Sequence, residues 1–259
     1  MANKTKGWKR RGFKIQPGWR PWNKKWFRGI KRKKKQFLGG WEVFPSQVGV
    51  NARTISYIKQ RFGFDIIEEL VAPTVKRKKS PVKVMDVGGG VGFISAGLAA
   101  HFGKKVDVTL LGLTPEMSPK KVRQMVERDI KLSGDWNRQE GERLEHAKNA
   151  LSEFEANIGK VKRRKALFEN YVPGERYDLI IDTYGGSYYA KPPERAVQQT
   201  FNLLKPGGKA LNIPGIFYGS EVKDFFDPRG KVAQTTGCYL KKVELLPRVS
   251  IVQKVRVNN

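Results

Sequence analysis

Residues 82 to 93 read Val-Lys-Val-Met-Asp-Val-Gly-Gly-Gly-Val-Gly-Phe, and no other run limits the fold of this chain so tightly. An apolar stretch of strand length, Val82 to Val87, gives way to glycines at 88, 89, 90 and 92, and an apolar stretch with helical character follows to Phe102. A strand, a glycine turn and a helix in direct succession let backbone amides approach a ligand without a Cβ in the way, at a helix N-terminus that favours negative charge. Two ligand classes are excluded. A dinucleotide fingerprint from Gly88 needs glycine where Phe93 stands, and one from Gly90 needs Gly or Ala where Ser95 stands. A nucleoside-triphosphate loop of the form G-x-x-x-x-G-K-[ST] occurs nowhere in the chain.

Beyond the turn, strand-like and helix-like segments alternate, the pattern of a parallel sheet covered on both faces and hence of an α/β fold. The pattern predicts strands at Val82 to Val87, Val106 to Leu111, Lys165 to Phe168, Tyr177 to Asp182 and Lys209 to Ile213. Helices are expected at Gly92 to Phe102, Pro119 to Leu132, Glu142 to Ile158, Pro193 to Leu204 and Ser220 to Phe226. Cys238 to Leu246 and Val249 to Val257, joined by Pro247-Arg248, read as an antiparallel pair. Residues 118–160 exceed what one crossover helix requires and read as a helical insertion. Within it Leu144, Ala147, Leu151, Phe154 and Ile158 form one apolar stripe, expected to pack on the domain, with a protein partner on the 142–158 helix as the other reading. Upstream, Val48, Ile55, Ile58, Phe62, Ile66 and Ile67 recur at helical spacing and are expected to end at Pro73. The organisation expected is a basic arm over 1–44, a helical segment and basic linker over 45–80, and the main domain over 81–259.

Three ordered motifs carry a resemblance to a known family. Asp86, Gly88, Gly90 and Gly92 form D-x-G-x-G-x-G. Tyr177-Asp178-Leu179-Ile180-Ile181-Asp182 follows as a later strand, and Leu203-Leu204-Lys205-Pro206-Gly207-Gly208-Lys209 as a helix-turn-strand signature. In this order and spacing they resemble the class I S-adenosylmethionine-dependent methyltransferases over about residues 80 to 257. The resemblance implies a Rossmann-like methyltransferase fold, mostly a parallel sheet with a C-terminal antiparallel hairpin, and S-adenosylmethionine as cofactor. It implies that Gly88, Gly89, Gly90 and Gly92 wrap the amino-acid portion of the cofactor and that Asp86 helps to hold it. Asp182 ends a central strand at the carboxyl edge, where open α/β sheets place ligands, and reads either as a cofactor-side or substrate-side residue or as a local cap. In the family an acidic residue ending the second strand usually accepts hydrogen bonds from the ribose hydroxyls, and here that position is Gly112. Asp107 begins the strand, five residues and roughly 16 Å away. Glu116 or Thr114 in the next turn, or water, are the alternatives. Glu169 and Asn170 fall where the family often recognises adenine.

Methyl transfer requires alignment of the acceptor and, for a weak nucleophile, loss of its proton. Asp182 and Tyr184 are the catalytic candidates, with Tyr188 and Tyr189 able to stack on a base or to pack under a loop. Neither N-P-P-Y nor D-P-P-Y follows the fourth strand, and no cysteine lies there for covalent attack on a pyrimidine. Cys238 reads as a strand residue, His101 as a capping or surface residue, and His146 as exposed on a charged helix. The single cysteine excludes a cysteine metal cluster, and no metal site is expected.

Charge points to the partner. The net charge is +27, and the first carboxylate is Glu42, so residues 1 to 41 hold 15 Lys and Arg and no acid. The same stretch holds five of the six tryptophans, and the interleaving of the two residue types decides its reading. Arg10, Arg11, Arg20, Lys24, Lys25, Arg28 and the run Lys31-Arg32-Lys33-Lys34-Lys35 are expected to neutralise phosphates, while Trp8, Trp19, Trp22 and Trp26 can stack on unpaired bases. That combination describes RNA better than duplex DNA. A solvated solubility or localisation tail is the alternative. Lysine dominance, many Gly and Pro and little Ser argue against an organelle transit peptide. The longest near-apolar stretch, Gly90 to Ala100, is too short to span a membrane, and one cysteine fits a reducing compartment, cytoplasm or organelle matrix. The functional expectation is a methyltransferase acting on RNA or a ribonucleoprotein, such as a ribosome. The alternatives are a non-catalytic, methyltransferase-like component of such a particle, and a small-molecule or protein methyltransferase whose tail localises it.

Overall fold

The computed structural model describes residues 36–38, 41–43, 53–112, 117–132, 138–172, 174–183, 185, 193–213, 222–246 and 249–257. The chain divides into two units, Met1–Gln36 and Phe37–Asn259. The second unit holds the main sheet and the helices described below. Two short strands, β1 (Gln36–Leu38) and β2 (Trp41–Val43), form a sheet of their own.

The main sheet has seven strands in the order β5-β4-β3-β6-β7-β9-β8. They are β3 (Val82–Val87), β4 (Val106–Gly112), β5 (Lys162–Lys165), β6 (Tyr177–Thr183), β7 (Leu204–Ile213), β8 (Cys238–Leu246) and β9 (Val249–Arg256). The first five run parallel, β9 lies antiparallel to β7, and β8 antiparallel to β9. Strand order reverses between β3 and β6. Open α/β sheets bind ligands at such a reversal, outside the carboxyl ends of the strands.

Period-two burial supplies both faces of the sheet. Val84, Leu110, Leu179, Ile181 and Leu211 pack into one core with α1 (Ile55–Phe62), α3 (Phe93–Phe102) and α6 (Leu151–Asn157). Met85, Leu111, Ile180, Ala210 and Val252 pack into the other, beneath α7 (Pro193–Leu203) and α8 (Lys223–Phe226). A short α9 (Lys231–Thr236) precedes β8 and was not signalled by the sequence pattern.

Four local expectations change. A π-helical turn, Ile66–Val71, runs directly into α2 (Ala72–Arg77), so Pro73 opens a helix rather than ending one; in a first turn its missing N–H costs nothing. The third strand of the parallel set lies at Lys162–Lys165 rather than at 165 to 168. It is an edge strand bonded only to β4, so its residues need not be apolar. The helix expected over 142 to 158 is two helices, α5 (Arg138–Asn149) and α6, separated at Ala150, whose amide still reaches the His146 carbonyl at 3.1 Å. The Pro206-Gly207-Gly208 turn is folded into β7 as an irregularity in its pairing with β6.

The apolar stripe Leu144, Ala147, Leu151, Phe154 and Ile158 is fully buried in the domain. Phe154 stacks on Phe93 at a centroid distance of 4.7 Å, which ties the insertion to the helix that follows the glycine turn. His146 is not a free surface residue: Nδ1 lies 2.9 Å from Ser56 Oγ, Nε2 meets Gln60, and the ring packs on Tyr57. α4 (Pro119–Leu132) adds Arg123, whose guanidinium donates to both oxygens of Glu155 at 2.8 and 2.6 Å.

Phe154 is 1% exposed, so truncation leaves a cavity beneath the turn. Phe154→Ala is expected to lower unfolding free energy by about 3–5 kcal/mol, measured by urea titration.

Candidate active site

The central strand β3 delivers Asp86 and Val87 to the carboxyl edge, where the chain turns. Gly88 and Gly90 have φ of 62° and 61°, a left-handed conformation that L-residues with a Cβ adopt at a cost. Gly88 donates its N–H to the Leu111 carbonyl at 2.7 Å, so the turn begins as an extension of the β3–β4 ladder. Gly89 is required for another reason, since a Cβ there would overlap the Asp86 carboxylate. Gly92, at φ 98°, caps α3, and a Cβ on it would lie 2.7 Å from Leu110 Cδ2.

Asp86 is 0% exposed. Its Oδ2 accepts the Ser95 hydroxyl at 2.7 Å, while its Oδ1 is buried without a hydrogen-bond partner among the described residues. Burial pushes its pKa up to about 7; the Ser95 bond opposes the rise and the charge of Asp182 adds to it.

Asp182 sits across the strand-order reversal, level with Val87 on β3 and Asn212 on β7. It is 3% exposed, and its Oδ1 accepts the Gly185 amide at 2.8 Å. Gly185 lies close over the start of the glycine turn: a Cβ on it would overlap the Val87 carbonyl and stand 2.7 Å from Gly88 Cα. The carbonyl of the intervening Thr183 accepts Arg53 Nη1 at 3.2 Å, so the segment before α1 reaches the same edge.

Gly112 ends β4, buried and level with Lys165 of β5. Among the described residues a Cβ built there has the Gly90 carbonyl, at 4.0 Å, as its nearest neighbour, so the position borders the turn. Glu169, half-buried, and Asn170, exposed, lie in the 3₁₀ turn Phe168–Asn170 that follows β5. The structure thus groups Asp86, Gly88, Gly89, Gly90, Gly92, Gly112 and Asp182 at one end of the sheet. Glu116, Thr114, Tyr184, Tyr188, Tyr189 and the arm residues from Trp8 to Lys35 lie outside the described residues.

Ser95, Gly185 and Arg53 were not singled out as site residues. Ser95 had a signal, being the polar residue in an otherwise apolar stretch nine positions after an acid. Arg53 had none, since its contact spans 130 positions. Among the described residues no group of three or more His, Cys, Asp or Glu is placed to hold a metal ion.

A model of the family described as methyltransferase domain matches residues 57–213, more than half of the chain. No curated protein sequence matches. Among solved structures, a SAM-dependent methyltransferase from Aquifex aeolicus is 14% identical, with 84% of this chain and 100% of that chain covered at a TM-score of 0.42. One from Thiobacillus denitrificans, in complex with S-adenosyl-L-homocysteine, is 17% identical, with 65% and 54% covered at a TM-score of 0.35. This chain therefore spans about half the length of the Thiobacillus protein. An rRNA methyltransferase from Streptomyces viridochromogenes is 13% identical, with 86% and 89% covered at 0.37.

The pKa of Asp86 fixes a sign. Its folded value, about 7, lies above the ordinary 3.8, so the stability it contributes is full below pH 3.8, falls as pH rises towards 7 and is lost above it. Asp86→Asn removes the buried charge. In the ligand-free protein the variant is expected to melt a few degrees above the parent at pH 8, with the advantage shrinking towards pH 5; melting curves at the two pH values decide it.

Proposed function

We propose that this chain, which belongs to the methyltransferase-domain family, transfers a methyl group from S-adenosylmethionine to RNA or to a ribonucleoprotein, with a ribosome as the leading particle. The observation that carries the enzymatic half is the intact turn above a buried, half-satisfied Asp86. The residues fit the cofactor. Gly88 to Gly92 leave backbone open where its amino-acid portion would lie, and Asp86 with Asp182 would offset its positive charge. Gly112 and the turn at Glu169 and Asn170 would border the ribose and adenine. Bound there, S-adenosylmethionine supplies an activated methyl group. Asp182, held by the Gly185 amide, would orient or deprotonate an acceptor entering beside the turn. Tyr184 stands two positions further on in the sequence.

The RNA half rests on the sequence of the arm, taken as residues 1–44, where cations alternate with tryptophans. A single cysteine is consistent with work in a reducing compartment. A second reading, a methyltransferase-like body that no longer turns over, is favoured by one observation. Where the family usually has a ribose-binding acid, Gly112 stands beside the Gly90 carbonyl.

Calorimetric titration with S-adenosylmethionine separates the two readings. The enzyme reading expects saturable binding that Gly90→Leu abolishes; absence of heat at millimolar cofactor would leave the non-catalytic body. Gly112→Glu restores the acid and is expected to tighten binding about tenfold, the value of one charge-assisted hydrogen bond. Unchanged affinity in that variant would mean the ribose is held from elsewhere. Deletion of residues 1 to 41 is expected to weaken RNA binding and to flatten its dependence on salt, and equal affinity with and without the arm would reduce it to a solubility tail.

A further inference from the structure

The edge of the sheet opposite the glycine turn carries a charge pattern that the reading above does not use. In the parallel strands the residues just before each start are at the amino-terminal edge, and there cations recur from one side of the sheet to the other. Lys160 precedes β5, Lys104 and Lys105 precede β4, Lys79 precedes β3, Arg176 precedes β6, and the antiparallel β9 ends at this edge with Arg256. All six are exposed.

The carboxylates standing among them are already neutralised. Asp178 is paired with Lys78 at 2.6 Å and with Lys205 at 3.1 Å, Asp107 with Lys162 at 2.6 Å, and Glu175 with Lys83. Lys79, Lys104, Lys105, Arg176 and Arg256 have no carboxylate partner among the described residues. Six spacings between seven strands, at about 4.8 Å each, make this edge roughly 29 Å long.

Cations at helix C-termini complement the macrodipole, which accounts for Lys104, Lys105 and Lys160, each lying just beyond a helix. It does not account for Arg176, which follows a loop, or for Arg256, which ends a strand. Those two flank a cavity of about 630 Å³ whose lining includes Lys254 and contains no carboxylate. Lys254 is 4% exposed and is fixed there by the Phe201 carbonyl at 2.8 Å and by the Phe201 ring at 4.0 Å. The opposite edge differs. The segments leaving the carboxyl ends of β3, β4, β6 and β7, at 88–92, 113–118, 184–192 and 214–221, contain one cation in their sequence, Lys191.

We propose that the amino-terminal edge of the sheet is a docking surface for the phosphodiester backbone of a folded RNA. The proposal deepens the RNA reading given above and rests on it. Phosphates in series match a line of unpaired cations, and the guanidinium forks of Arg176 and Arg256 favour phosphate over a diffuse charge. An anionic membrane fits less well, because peripheral membrane faces insert apolar side chains. The exposed large apolar residues among those described are Val172 and Val243, and neither stands at a strand start. The RNA so held lies behind the domain, with the glycine turn facing away from it.

The test uses the full chain and a fluorescent RNA hairpin, with affinity measured by anisotropy across a salt series. The edge variant Lys105→Gln/Arg176→Gln/Arg256→Gln is compared with Lys120→Gln/Lys121→Gln/Lys223→Gln, which removes the same charge elsewhere. The edge set is expected to lower the log–log salt slope by about 2 to 3 and affinity at physiological salt about tenfold or more, with the control set close to the parent. Both sets should keep the parental melting temperature and affinity for S-adenosylmethionine. Equal losses in the two sets would reduce the effect to net charge and overturn the proposal. It is also overturned if the edge set loses only binding to phosphatidylserine vesicles. A parent that binds no RNA at all sinks the RNA reading itself, whereas a parent that binds through the arm alone sinks only the edge.

Discussion

The carboxylate of Asp86, buried and with one oxygen unpartnered among the described residues at the end of the central strand, is the constraint around which the carboxyl end of the sheet is built. It forbids a side chain at Gly89, it takes the hydroxyl of Ser95 from the first turn of α3, and burial, with the charge of Asp182 adding to it, raises its proton affinity. A buried acid without a counter-charge is costly, and a protein keeps one where something else supplies the compensation. Two acids at one strand-order reversal would suit a cation, and under the proposed function S-adenosylmethionine would bring a sulfonium and an ammonium to them. Burial pushes the pKa of Asp86 up to about 7, and a cationic ligand beside it would favour loss of its proton.

Much of this was legible because burial writes itself into the sequence. β3, α4 and β8 begin and end where the patterns placed them, since each is bounded by a sharp change from apolar or amphipathic residues to Gly, Pro or charge. The glycine turn was legible because its conformations are hard for other residues. β5 was misplaced because an edge strand with the sequence Lys-Arg-Arg-Lys has no apolar signature to read. Pro73 misled because proline stops a helix from its interior and starts one from its first turn, and position within the helix is not a local property. The contacts made by Arg53, Gly185 and His146 depend on which elements meet in space, and no single-sequence pattern specifies that. Gly185 is the instructive case: within the sequence it is one of two glycines in a loop, and in the fold a Cβ on it would collide with the strand end that begins the cofactor turn.

Gly112 separates fold from function. The domain loses nothing structurally by having glycine at the end of β4, since its backbone still pairs with β5 and its carbonyl still accepts the Ala166 amide at 3.2 Å. Under the proposed function, what glycine gives up is a carboxylate at the ribose side of the turn. Two buried acids would remain at the amino-acid side, so the attraction for a cationic cofactor would persist while the orientation of its nucleoside would depend on other groups. Affinity and alignment are therefore separable here, and turnover requires both.

The two edges of the sheet also carry opposite electrostatic characters. The carboxyl edge holds Asp86 and Asp182, with Arg53 and Lys165 also reaching it, whereas at the amino-terminal edge Asp178, Asp107 and Glu175 are each spent in an ion pair and five cations have no carboxylate partner among the described residues. A central strand of six residues separates them by roughly 20 Å, more than twice the screening length of about 8 Å at physiological ionic strength. A polyanion seated on one edge therefore leaves the proton affinity of the other nearly unchanged. Were the cations instead gathered around the glycine turn, phosphate would compete for the acids that a cationic cofactor needs. Separating the charges along the length of the strands would allow one small domain to hold an anion and a cation without either displacing the other.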